Sequence, residues 1–267
     1  MLKLRTLASG SKGNCTYVAT DTDHILIDVG LSLPQIEDRL KTAEINPDEI
    51  TAILITHEHT DHICGLPRFL QKYKNCTLHL HEDAIDIVSK ILHKQRFHDL
   101  DRIQAFNTPF LIGEIDIDYF EVPHDSKFCF GYTFESSGAK VSLATDLGHI
   151  NAEIIKAMAN SHIALLESNH DHGKLSANVK YPLVLKRRVS GSLGHLSNTA
   201  ASLAAYELAK VNVAQIILVH LSEQNNTPNL AYTFMCDFLS RKGITEGVDI
   251  SIDVAAQHQV GKLYVIS

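Results

Sequence analysis

Residues 53–62 read ILITHEHTDH. Ile53, Leu54 and Ile55 belong to an apolar, β-branched run, and directly after Thr56 come His57, Glu58, His59, Asp61 and His62. Polar groups crowded this closely are costly to bury without partners. In the pattern HxHxDH, His57 and His59 fall on one side of a short loop, where both reach a single metal ion. Asp61 and His62 emerge later, at the entry to the helix that contains Leu66 and Phe69, and reach a second. The segment is not the zinc-protease HExxH pattern, because the fourth residue after His57 is Asp61.

The same arrangement recurs along the chain. Asp28 follows HILI, Asp146 follows VSLAT, His220 follows QIILV, and His124 follows IDIDYFEVP. Potential ligands at successive strand ends indicate a site, because a rigid sheet fixes such side chains while loops leave room for a ligand.

The rest of the sequence sets the frame. With 267 residues, 45% hydrophobic and 21% charged, the chain has the composition of a globular protein. Its net charge of −7 means that any contact with a polyanion needs a local basic patch. Cysteines 15, 64, 76, 129 and 236 are odd in number and form no CxxC pair, as expected of reduced thiols in a cytoplasmic protein. The opening MLKLRTLASGSKGN has no apolar stretch of signal-peptide length, and no stretch reaches a membrane span.

Strands are predicted over residues 2–7, 15–19, 24–28, 52–56, 77–81, 115–122, 131–135, 140–144, 163–166, 215–219 and 262–266. Helical patterns cover 33–42, 65–73, 82–92, 152–159, 181–188, 199–210 and 230–242. No Pro/Gly/Ser-rich linker interrupts them, so one α/β domain spanning 1–267, with two sheets and covering helices, is expected.

Not every histidine belongs to the site. His24, His93, His98, His162 and His258 read as solvated, His149 as a loop residue, and His79 with His81 as one face of a solvated edge strand. Cys64 reads as a small buried residue rather than a ligand.

The set HEHTDH with His124, Asp146 and His220, preceded by Asp28, resembles the metallo-β-lactamase fold superfamily. LASGSKGNC (7–15), ILIDVGLS (25–32), ATDLGHI (144–150), ESNHD (167–171), YPLVLKRR (181–188), GHLSN (194–198) and HLSEQNNTP (220–228) narrow the resemblance to its WalJ/YycJ (VicX) subfamily. That resemblance implies a four-layer αββα sandwich and DNA phosphodiester cleavage, a 5′-to-3′ exonuclease activity tied to mismatch repair. It assigns His57, His59 and His124 to one metal ion and Asp61, His62 and His220 to another, with Asp146 bridging them. Asp28 is left to orient the ligand loop. A donor set of His and Asp without Cys suits Zn²⁺, Mn²⁺ or Fe²⁺.

Such a pair of ions holds a hydroxide in line with a scissile phosphate, and Asp61 also orients it. Between His172 and Tyr206 there is no Asp or Glu, while Lys174, Lys180, Lys186, Arg187 and Arg188 add positive charge; a phosphate-facing patch is expected there. His195 resembles the histidine that related nucleases use to contact the phosphate or protonate the leaving oxygen. Asn14, Asn169 and His170 are further candidates for substrate contact.

Other readings keep the same residues. A small-molecule phosphodiesterase acting on a cyclic nucleotide or ribose phosphate needs the same ions. The absence of Trp and the short gap between Asp146 and His220 argue against a large clamp on a long polymer, while the basic segment favours one. β-Lactam or thioester hydrolysis gives that segment no purpose. A regulatory module that binds metal only for stability has no need of an intact ligand set.

Overall fold

The computed structural model describes all residues, 1–267, as two packed sheets with helices on both outer faces. The first sheet contains β1 (Leu2–Ala8), β2 (Cys15–Ala19), β3 (His24–Ile27), β4 (Ala52–Leu54), β5 (Thr77–His81) and β6 (Ile103–Phe106). The second contains β7 (Phe110–Ile112), β8 (Ile115–Glu121), β9 (Phe130–Ser136), β10 (Ala139–Ala144), β11 (Ile163–Glu167), β12 (Gln215–Val219) and β13 (Ser251–Val254). The last strand, β14 (Tyr264–Ile266), returns to pair with β1, so the first sheet runs β14-β1-β2-β3-β4-β5-β6 and the second β13-β12-β11-β10-β9-β8-β7. In each sheet an antiparallel half gives way to a parallel half, at β3 and at β10.

Alternation along the parallel strands builds the layers. Ile163 and Leu165 of β11 and Ile217 and Val219 of β12 join the core between the sheets. Their neighbours Ala164, Leu166, Ile216 and Leu218 face α5 (Ala152–Met158), α8 (Asn198–Lys210) and α9 (Pro228–Arg241) instead. With both faces covered, such strands read as continuous apolar runs. On the other side, α1 (Leu33–Thr42), α3 (Leu66–Lys72) and α4 (Glu82–Lys94) cover the first sheet with Ile36, Leu40, Phe69, Leu70, Val88 and Leu92. The expected αββα sandwich is the fold observed.

The differences from expectation lie at edges and ends. Strands β6, β7 and β13 are short and partly exposed and are not among those expected: β6 and β13 interleave polar residues, and β7, though apolar, is only three residues long. The helix expected over 65–73 is preceded by a separate turn of helix, α2 (Thr60–Ile63), which carries Asp61 and His62. A short α6 (His172–Ala177) is capped by the Asp171 carboxylate, which accepts from the Lys174 amide. The helix expected over 181–188 is α7 (Leu183–Val189), which buries no side chain. No helix is long and apolar enough to cross a membrane.

The histidines of β5 are not a solvated edge. His79 stacks on Phe110 with centroids 5.5 Å apart, and burial pushes its pKa down to about 4. His81 packs among Phe106, Tyr119 and Phe130, so β7 and its neighbours cover what had read as an exposed face. His24 is half-buried against the Tyr17 hydroxyl. All five cysteines are free thiols, and the Cys64 thiol donates to the Gly30 carbonyl.

Leu165→Ala empties a fully buried position between the sheets. It is expected to lower the unfolding free energy by about 2–5 kcal/mol, read as a lower urea midpoint at unchanged slope. A loss under about 1 kcal/mol would mean that the two sheets close over the gap.

Candidate metal centre

The residues singled out at strand ends converge at one end of the sandwich. His57, His59 and His124 form one group of ligand atoms lying within 4.8 Å of one another, and Asp61, His62 and His220 form another. Asp146 joins His57 and His62 in a third, with one oxygen 3.3 Å from His62 Nε2 and the other 3.8 Å from His124 Nε2. It therefore faces both trios.

What turns the rings inward is a set of hydrogen bonds on their outer nitrogens. His62 Nδ1 donates to Asp28 Oδ2 at 2.7 Å, His220 Nδ1 to Glu167 Oε1 at 2.7 Å, and His124 Nδ1 to the Gly194 carbonyl at 3.2 Å. His57 Nδ1 donates to Thr56 Oγ1 at 3.1 Å, and that hydroxyl in turn donates to Asp28. In every case Nε2 is the nitrogen left facing the centre. His59 presents Nδ1 instead, 3.3 Å from His124 Nε2.

The Nε2 atoms of His57 and His220 are buried without a hydrogen-bond partner in the protein. Converging, unpartnered imidazole nitrogens beside carboxylates are what a divalent cation requires. These His/Asp clusters are suited to metal ions.

Backbone geometry adds to the placement. Asp28, Asp146 and His220 all adopt left-handed φ values, of 62°, 58° and 55°. Outside glycine this region is sparsely used, though Asp and His tolerate it better than most, and each instance costs about 1–3 kcal/mol that surrounding contacts must offset. The turn after each strand thereby aims its side chain over the sheet end. At Gly30 a Cβ would lie 1.7 Å from the Asp61 carbonyl, so only glycine lets the HEHTDH loop pass there.

Charge is distributed to match. Burial alone would lower His62, but Asp28 and Asp146 overcome it and raise the ring to about 10. His220 is likewise raised against its burial by Asp146, Asp61 and Glu167. His57 and His124 are lowered, chiefly by burial. Burial works against the Asp146 carboxylate, yet His220, His62 and His57 hold it well below its ordinary range.

Two residues at the centre were not singled out from the sequence. Glu167, fully buried, takes His195 Nδ1 at 2.9 Å and His220 Nδ1 on one oxygen, and the amides of Leu147 and Leu196 on the other. His195 and His220 hold it at about 2 despite its burial. It is the last residue of β11, so the strand-end rule that drew attention to Asp146 and His220 applies to it as well. Thr56, fully buried, ties Asp28 to His57 and His62; nothing in the sequence separates it from any threonine ending a strand.

The substrate-side candidates divide. His195 stays at the rim, its side chain 20% exposed and its ring 5.3 Å from His124 and 5.2 Å from His220, centroid to centroid. Asn14 is buried and engaged: its carbonyl takes the Gly10 amide and its amide group lies against the Asp61 carbonyl and His62. Asn169 is also buried, donating to the His220 carbonyl at 3.0 Å. Both asparagines hold the ligand loops rather than face solvent. His170 is buried to 1% exposure near the rim.

Lys186 donates to the Ser176 carbonyl and joins α7 to α6. Arg188 forms a two-point ion pair with Asp125, the neighbour of His124. Their charges are thus engaged by the protein, whereas Arg187 is exposed and makes no side-chain hydrogen bond or ion pair.

Comparison with known proteins agrees with this architecture. The family model for the β-lactamase superfamily domain matches residues 23–221. The exodeoxyribonuclease YycJ of Bacillus anthracis is 34% identical over 251 residues, covering 92% of each chain. The exodeoxyribonuclease WalJ of Streptococcus pneumoniae is 33% identical over 257 residues, 94% of this chain and 93% of that one. The crystal structure of Zn²⁺-bound PqqB from Methylobacterium extorquens superposes with a TM-score of 0.73 at 15% identity over 99% of this chain and 100% of that one, a likeness of fold. By the family model and by its match along nearly all of YycJ and WalJ, this chain belongs to the metallo-β-lactamase superfamily, in the group that contains those two proteins.

Proposed function

We propose that the protein is a dinuclear metal-dependent phosphodiesterase that degrades DNA from a 5′ end. The observation that carries this reading is the end-to-end similarity to proteins named exodeoxyribonuclease, in a chain that has every ligand position of the two trios. His57, His59 and His124 would hold one divalent ion, and Asp61, His62 and His220 the other. Asp146 would serve both through its two oxygens. When bound, two such ions supply an activated water and neutralise the charge that builds on a scissile phosphate. Zn²⁺ or Mn²⁺, and Fe²⁺ after them, suit these donors.

The chain's own residues do the rest. Asp28 and Glu167 hold His62 and His220 in the tautomer that presents Nε2, a task for which outer carboxylates are suited. Asp61, 27% exposed at its side chain, stands at the mouth of the second trio, where it orients the attacking water. His195 has Nδ1 fixed by Glu167, which leaves Nε2 to meet the phosphate or to give a proton to the leaving oxygen. Burial opposes the charged ring, but Glu167 raises its pKa and favours the protonated form that a general acid needs.

The decisive experiment strips the protein of metal and reloads it separately with Mn²⁺ and Zn²⁺. Duplex DNA labelled at a 5′-phosphorylated end is then supplied, with Asp61→Ala as control. Mononucleotides released from the 5′ end by the wild type alone are expected. Intact DNA beside turnover of a small phosphodiester would replace this reading with a small-molecule phosphodiesterase.

His195→Ala is expected to lower kcat on DNA by about 10²–10⁴-fold while metal content stays as in the wild type; loss of metal in that variant would make His195 a ligand instead. Asp28→Asn is expected to weaken metal affinity about 10–100-fold, measured by competition with a chelator.

Metal loading also has a pH signature. His62 and His220, raised above their ordinary pKa, carry protons at neutral pH in the metal-free chain and must give them up to expose Nε2. Loading at pH 7 is therefore expected to release about two protons per chain, and apparent affinity to rise with pH. Calorimetry in buffers of different ionisation enthalpy reads the number directly. No release would mean that both rings are already neutral.

A further inference from the structure

A cleft of about 260 Å³ opens beside His195, which forms part of its wall. His170, His172, Ser197, Thr199 and Leu203 contribute to its wall, and no carboxylate does. Two independent features of that wall call for the same kind of ligand.

The first is the start of α8, a helix of thirteen residues. Ser197 caps it, accepting from the Ala200 amide, and the first turn contains no acidic residue. Thr199 and Ala200, in that turn, both line the cleft. The positive end of the helix dipole is therefore presented to the cleft without a side-chain counter-charge.

The second is His170. Its side chain is 1% exposed, and neither ring nitrogen meets a polar partner in the protein. Its main chain is pinned: the carbonyl accepts from the Asn198 amide, and the residue pairs with Ser197 in an isolated bridge. The nearest acid in sequence, Asp171, is turned away to cap α6. A buried imidazole with no partner is expensive to keep. Burial pushes its pKa down to about 4, so the neutral ring offers one N–H donor and awaits an acceptor. The exposed ring of His172 stands 5.6 Å away, centroid to centroid.

An acceptor-rich anion satisfies both features, and an acid-free wall rejects cations. We propose that this cleft is a phosphate subsite separate from the point of bond cleavage, holding a second phosphate of the nucleic-acid substrate between His170, His172, Thr199 and the start of α8. The source of that phosphate rests on the nuclease reading above; the cleft itself does not. Two sources share the chemistry: the terminal 5′-phosphate and an internal phosphodiester.

The test uses Thr199→Glu, because His170 is too deeply buried to serve as a first variant. Glutamate in the first turn favours the helix through the dipole, so the fold is retained, while its charge occupies the mouth of the cleft. Inorganic phosphate is titrated calorimetrically into the metal-loaded full-length wild type and variant. Loss of a binding event, or weakening of at least about tenfold, is expected in the variant. Equal binding in the two proteins, or none in the wild type, overturns the subsite.

Both proteins are then given DNA with 5′-phosphate and 5′-hydroxyl ends. A preference for the phosphorylated end in the wild type that Thr199→Glu abolishes identifies the terminal phosphate. Equal use of both ends, with KM raised for both by the substitution, identifies an internal one. A phosphate effect without any cleavage of DNA keeps the subsite and removes the nuclease reading.

Discussion

Everything at the centre depends on which nitrogen of each imidazole is spent on the protein. A histidine ring has two, and only the one left without a proton can bind a cation. Here Asp28, Glu167, Thr56 and the Gly194 carbonyl take the outer nitrogens of His62, His220, His57 and His124. Glu167, fully buried, is held ionised by the rings it orients, so acid and base depend on one another. Remove one carboxylate and a ring can turn, rotate its tautomer, or lose its charge partner.

The fold answers that requirement with repetition. Each sheet changes from antiparallel to parallel pairing, and the parallel strands end side by side at the centre. Asp28, the HEHTDH loop, Asp146, Glu167 and His220 follow or close β3, β4, β10, β11 and β12. Loops after neighbouring parallel strands meet without long connections. The left-handed turns at Asp28, Asp146 and His220 are tolerated because both faces of the strands beneath them are packed.

Much of this is legible in the amino-acid sequence. The apolar runs gave the central strands because burial on two faces leaves an unbroken signal, and strand-end histidines and aspartates stood out against it. Short edge strands such as Phe110–Ile112 lack that signal, having too few residues to show alternation. The site was legible where chemistry needs an unusual residue, as in HEHTDH, and illegible where it needs an ordinary one. Thr56 and Glu167 act only through what lies across from them, which is a property of the fold. The same reason misplaced His79 and His81, whose shielding comes from the distant Phe106, Phe110, Tyr119 and Phe130. It also hid the engagement of Arg188 by Asp125.

Helix α7 has a different standing from every other helix long enough to matter near the site. It buries no side chain, shows Leu183 and Val184 to solvent at 70% and 79%, and is tied down by polar contacts from Lys186 and Arg188. Neither hydrophobic core counts it as a member. Its outward side chains can consequently change with little packing penalty, while its place beside Asp125 and His124 lets such a change alter what reaches the centre. Evolution can rewrite the entrance of this enzyme without reopening the question of how it folds.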